Sequence, residues 1–220
     1  MARTETVSFD GHAGRIDCAI DWPQDEPAGW ALILHPHPLH GGARNNKVVT
    51  TLAQACLQRG LVAVRPDFRG VGASEGEFDN ARGETADMQE LVAQFRERYP
   101  QAAAGRWALG GFSFGSAVAA QLHASLADAG GPVPDALILV GTAVKRFQFR
   151  AVEIPADTLA VHGEQDEVVP LAEVLDWARP IGLPVVVVPG AGHFFHGKLL
   201  VLRQLARARL SALDGDGAGR

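Results

Sequence analysis

Apolar residues in this chain fall into short solid runs set between longer stretches of mixed polarity. Trp30–Leu34, Leu61–Val64 and Ala136–Val140 contain no polar residue at all, the pattern of strands covered on both faces of a sheet. Trp107–Gly111, Asp157–His162 and Val185–Val188 supply three more strands. Ahead of them, Thr4–Phe9 and Arg15–Trp22 alternate polar and apolar residues around Asp10-Gly11-His12, which predicts an antiparallel hairpin with one buried face. Between the runs the apolar period changes to that of a helix. Lys47–Arg59 brings Val48, Leu52, Ala55 and Cys56 to one side, with Asn45 or Asn46 available as its cap. Glu84–Tyr99 does the same with Met88, Leu91, Val92 and Phe95. Phe114–Asp128, stopped by Gly130-Gly131-Pro132, Leu171–Ala178 and Lys198–Leu213 complete the helices.

Strands that alternate with helices after an opening hairpin predict an α/β fold: a mostly parallel sheet of about eight strands with helices on both faces. The expectation is one domain over residues 1–213, with the polar, Gly-rich segment 214–220 as a disordered tail. The connection between the strands at Ala136 and Asp157 is short, so no cap domain is expected.

Composition narrows the setting. Of 220 residues, 47% are hydrophobic, enough for a sizeable core. A net charge of −5 with scattered basic residues argues against nucleic acid or an anionic membrane as partner. Two cysteines, Cys18 and Cys56, make no disulfide framework and no metal-ligand spacing, and the N-terminal stretch lacks the apolar core of a signal peptide. No apolar run reaches the roughly 20 residues needed to span a bilayer. A cytoplasmic protein, monomer or homodimer, acting on a small molecule is the expectation.

The chemistry centres on Gly111-Phe112-Ser113-Phe114-Gly115, where a strand ends and a helix begins. A serine held on such a turn exposes its hydroxyl as a nucleophile. The G-x-S-x-G spacing alone is weak evidence, because Gly72-Ala73-Ser74-Glu75-Gly76 repeats it. Ser74, however, follows a polar loop and opens no helix, so it is read as a turn residue. A serine hydroxyl needs a base, and the base an orienting carboxylate. Glu164, Asp166 and Glu167 follow one late strand, and His193, with His196 close behind it, follows the next. His193 is taken as the base, and His162 as a packed, hydrogen-bonded residue. Ligands in parallel sheets bind beyond the carboxyl ends of the strands, where all these loops lie.

The order Ser, acid, His and the motifs around it resemble those of the α/β-hydrolase superfamily. HPHPLHGG at His35–Gly42, DFRGVGASEG at Asp67–Gly76 and GFSFG at Gly111–Gly115 are similar to a subgroup of small, uncapped bacterial serine hydrolases. The resemblance implies a G-x-x-D acid, which Gly163–Asp166 matches, and so a triad of Ser113, His193 and Asp166. It also implies an oxyanion hole formed by the N–H of Phe114 and that of His37, with Leu39 as fallback. Proline stands where the family usually has the first glycine of that loop, and Pro36 and Pro38 have no N–H to offer. Phe112 and Phe194 are expected to line the acyl pocket.

The expected function is hydrolysis of small or medium soluble acyl esters through an acyl-Ser113 intermediate. The same triad serves thioesterases, amidases and acyltransferases, and the fold also carries non-catalytic binding proteins. No cofactor is expected. His35, His37 and His40 invite a metal reading, but no acid lies in their loop; they are read as a rigid loop wall, and no metal is expected. Arg69 is expected to tie loops together through Asp67 or Asp87.

Overall fold

The computed structural model describes residues 3–214. The hairpin strands β1 (Arg3–Gly11) and β2 (Gly14–Trp22) pair antiparallel and lead into β3 (Gly29–Leu34). Then come α1 (Lys47–Leu57), β4 (Leu61–Pro66), α2 (Arg82–Arg98), a single turn α3 (Pro100–Ala103) and β5 (Arg106–Phe112). The chain closes with α4 (Phe114–Asp128), β6 (Ala136–Val140), β7 (Leu159–Gly163), α5 (Leu171–Ala178), β8 (Val185–Val188) and α6 (Leu199–Ala212). One eight-stranded sheet results, in the order β1-β2-β4-β3-β5-β6-β7-β8. Strands β3 to β8 are mutually parallel, and β2 joins β4 antiparallel.

The solid apolar runs are explained by two cores, one on each face. Trp30, Leu32 and Leu34 point to the face covered by α2 and α4, where Phe95, Leu91, Phe114 and Leu122 are buried. Ala31 and Ile33, from the same strand, point to the face covered by α1 and α6, among Leu52, Val49, Leu202 and Leu210. Each central strand must therefore be apolar at every position.

Asn46, not Asn45, caps α1: its Oδ1 accepts the N–H of Val48 at 2.9 Å, while Asn45 binds Arg65. α6 begins at Leu199, and His196 lies in the exposed turn before it. Asp214, assigned from composition to the tail, is paired with Arg59 and Arg106; residues 215–220 lie outside the described residues. Among the described residues, no helix is long and apolar enough to cross a membrane. The connection from β6 to β7 carries one short 3-10 turn, Val144–Arg146, and no lid.

Candidate active site

The elbow at Ser113 is enforced by close backbone contact. Ser113 has φ 55° and ψ −120°, a left-handed conformation that costs a non-glycine residue on the order of 1–3 kcal/mol and is retained only where the surroundings fix it. Its N–H is bound to Val140 C=O on the neighbouring strand, and its own C=O accepts from the fully buried hydroxyl of Ser116. The glycines on either side have no room for a side chain. A Cβ on Gly111 would lie 2.1 Å from Gly115 O, and one on Gly115 would lie 2.4 Å from Leu34 O and 2.6 Å from His35 O. The spacing of the motif thus follows from the approach of α4 to the end of β3.

Three loops at the carboxyl ends of the parallel strands converge on this elbow. Ser113 Oγ stands 2.9 Å from His193 Nε2, and His193 Nδ1 stands 2.7 Å from Asp166 Oδ2. A proton on Nδ1 serves both contacts, donating to the carboxylate and leaving Nε2 to accept from the serine. The other carboxylate oxygen, Oδ1, accepts the N–H groups of Val168 at 2.9 Å and Val169 at 2.7 Å. Burial pushes the Asp166 carboxyl upward, but hydrogen bonds from His193 and the Val169 N–H outweigh it and hold the pKa below its ordinary value. Asp166 is therefore ionised at neutral pH. Ser113 is 8% exposed and His193 2%.

The acid and histidine loops are stitched together beyond their strands. Glu164 N–H donates to Val188 C=O, and Gln165 N–H to Ala191 C=O. Glu164, one of the rival acids, is exposed and spends its carboxylate on the N–H of Gly190 at 2.8 Å. Phe195 has φ 53° with its ring fully buried, which anchors the turn that carries His193.

The expected oxyanion donors are placed unequally. Among the described residues, the N–H groups of His37 and Phe114 have no hydrogen-bond acceptor. Leu39, the fallback, departs from expectation: its N–H is turned back onto His37 Nδ1 at 3.2 Å, and its side chain is 70% exposed. The acyl-pocket expectation also divides. Phe194 is 40% exposed and borders the crevice over Ser113. Phe112 does not: it is fully buried in the α1/α6 core beneath the His193 ring, at 4.9 Å between centroids. The strand faces alternate, and that alternation directs Phe112 away from Ser113.

The crevice holds about 160 Å³ and is lined by Pro36, His37, His40, Gly41, Gly42, Asn46, Ser113, Val168, His193 and Phe194. No carboxylate stands among these lining residues. His37 and His40 stack at 4.3 Å, and burial, then the neighbouring His40, hold the His37 ring below its ordinary pKa.

His35 is a brace, not a ligand. Its Nε2 accepts the N–H of Phe68 at 2.9 Å, so the ring proton must sit on Nδ1, which donates to Pro36 C=O at 2.7 Å. Nδ1 is thereby used within the loop after β3, and Nε2 joins that loop to the one after β4. Burial lowers its pKa to about 4. The native ring stays neutral down to that pH, while the unfolded ring takes a proton below 6.5, so stability falls with pH across that window. The expected loss from this group is about 2 kcal/mol between pH 7.5 and pH 5. Urea melts of wild type and His35→Gln at both pH values check this: the wild-type loss should exceed that of the variant by about this amount.

The remaining motif residues are also structural. Ser74 is buried, donates to Asp67 C=O and accepts the N–H of Asp17. Arg69 binds Asp87 Oδ2 at 2.8 Å and Gly83 C=O, while Asp87 also receives the N–H of His12. Asp67 is paired with Arg44. Among the described residues, no three His, Cys, Asp or Glu side chains are gathered as a metal site.

The arrangement has close relatives. A lidless α/β serine hydrolase from Xanthomonas campestris superposes with a TM-score of 0.84 at 33% identity, over 96% of this chain and 95% of that one. An α/β serine hydrolase homologue from Coxiella burnetii gives 0.79 at 37% identity, over 94% and 97%. An uncharacterized protein of Rickettsia prowazekii is 30% identical over 204 residues, 87% of this chain and 82% of its own length. Residues 37–148, from the histidine-rich loop past the elbow, match the profile of Hydrolase_4, serine aminopeptidase S33. On these likenesses and the fold that carries them, the chain belongs to the Hydrolase_4 family of serine hydrolases, within the lidless α/β-hydrolases.

Proposed function

We propose that this serine hydrolase cleaves acyl esters of small or medium soluble substrates through an acyl-Ser113 intermediate. The observation that carries the reading is the unbroken contact from Ser113 Oγ through His193 to the Asp166 carboxylate at the floor of an open crevice. In this mechanism His193 Nε2 takes the Ser113 proton as Oγ attacks the acyl carbon, and Asp166 stabilises the imidazolium and holds its orientation. The N–H of Phe114, at the first position of α4, and the N–H of His37 receive the developing oxyanion. His193 then returns its proton to the leaving alcohol, and water, deprotonated by His193 in turn, releases the acid.

Two features of the crevice support a short acyl group on an ester. Its volume of about 160 Å³ is below the roughly 300 Å³ at which pockets begin to enclose drug-sized ligands. An aminopeptidase must also hold a free α-ammonium group, for which a carboxylate is the natural partner, and the lining offers histidines and Asn46 instead.

A panel of p-nitrophenyl esters from acetyl to dodecanoyl, the matching thioesters, and aminoacyl p-nitroanilides tests the proposal. Short-chain esters should exceed the dodecanoyl ester and every free-amine anilide by at least about tenfold in kcat/KM. Preferred turnover of the anilides would overturn it.

A further inference from the structure

Asp166 is faced by a second histidine that the mechanism above leaves unused. His162 stands at the end of β7, with its side chain wholly inaccessible to solvent. Its Nε2 lies 2.8 Å from Val169 C=O and 3.3 Å from Asp166 Oδ2, the same oxygen that meets His193. A carbonyl only accepts, so the proton is on Nε2 and Nδ1 is a bare acceptor. Among the described residues, that buried Nδ1 has no hydrogen-bond partner. Burial holds the ring below its ordinary pKa against the pull of the Val169 carbonyl and Asp166, so it is neutral at pH 7.

A bare ring nitrogen in a packed interior is destabilising, and an aliphatic side chain would fill the space without it. The contacts on the other side of the ring account for keeping it. Val169 receives the His162 N–H on its carbonyl and donates its own N–H to Asp166 Oδ1 at 2.7 Å. His162 therefore grips the residue that grips one carboxylate oxygen, while its N–H edge faces the other. His162 is not among the residues lining the crevice, so whatever it does reaches the substrate only through Asp166 and His193.

We propose that His162 is a positioning residue for hydrolysis: it fixes the Asp166 carboxylate against rotation, so that Oδ2 stays on His193 Nδ1. The inference rests on reading Ser113, His193 and Asp166 as nucleophile, base and orienting acid.

The test uses wild type, His162→Leu and His162→Gln. Active sites are counted by stoichiometric reaction with an organophosphonate fluoride, then kcat and KM are measured with a short-chain p-nitrophenyl ester, and thermal midpoints by calorimetry. His162→Leu should keep KM within about twofold and lower kcat about tenfold, the effect of losing one hydrogen-bonded support to a carboxylate, with a lower thermal midpoint because the buried Val169 carbonyl loses its donor. His162→Gln, which keeps an N–H donor, should recover part of that kcat. Wild-type kcat in His162→Leu overturns the inference, as does an equal kcat loss in both variants, which is what packing alone would give. Failure of the wild type to react with the phosphonate or to turn over ester is a different result: it overturns the nucleophile reading, and this inference with it.

Discussion

Replacing Ser113 with alanine is expected to lower kcat for a short-chain ester by about 10⁵–10⁶-fold and to leave the fold intact. Among the described residues, the hydroxyl is the only group hydrogen-bonded to His193 Nε2, at 2.9 Å. Its removal leaves water as the sole nucleophile and ends the two-step route. The N–H groups proposed to receive the oxyanion, those of Phe114 and His37, remain, so turnover should stay above the uncatalysed rate by roughly 10³-fold. Because Ser113 is strained at φ 55°, alanine in the same conformation neither gains nor loses backbone strain, and the thermal midpoint should change little. His193→Ala is expected to match Ser113→Ala, and the double variant to be no worse than either, because the two groups act as one unit. Steady-state kinetics on highly purified protein check this, with a loss below about 100-fold contradicting the assigned roles.

The Gly115→Ala substitution should be nearly as damaging, although it adds a single methyl group outside the triad. That methyl would stand 2.4 Å from Leu34 O and 2.6 Å from His35 O. Neither atom can yield easily: Leu34 ends a buried strand paired on both sides, and His35 is braced by Pro36 and Phe68. The helix α4 must retreat instead, by about 1 Å for a normal contact. Retreat opens the packing of Phe114 and Val118 against the sheet, with an overpacking cost of about 1–3 kcal/mol. It also moves Ser113 away from His193, and a displacement of about 1 Å at a reacting centre costs on the order of 100-fold in rate. Urea melts and kcat should therefore fall together. A Gly115→Ala protein with wild-type stability and turnover would show that the elbow is not held by this contact.

Much of this fold is legible in the sequence because the sheet is covered on both faces. Trp30–Leu34 and Ala136–Val140 are apolar throughout for that reason. The same property hides which face a given side chain takes. Phe112 illustrates this: nothing in GGFSFG distinguishes a ring beneath His193 from one beside the substrate, and only the strand alternation in three dimensions decides.

At the site, the positions of Ser113, Asp166 and His193 after the ends of β5, β7 and β8 make their convergence readable. The G-x-x-D resemblance points to Asp166 over Glu164, but the contacts that set them apart, the Val168 and Val169 N–H groups on one oxygen and the Gly190 N–H on the rival, are not carried by sequence. The inward turn of the Leu39 N–H onto His37 is of the same kind. So is His162, which sequence places in the interior but cannot show against Asp166.

Reaction of wild type and Ser113→Ala with a fluorophosphonate, followed by intact and peptide mass analysis, tests the central assignment most directly. The account predicts one adduct per chain, on the peptide containing Ser113, and no adduct on Ser113→Ala at the same exposure. An adduct on Ser74 or another residue, equal labelling of the Ser113→Ala protein, or no labelling of wild type would contradict it.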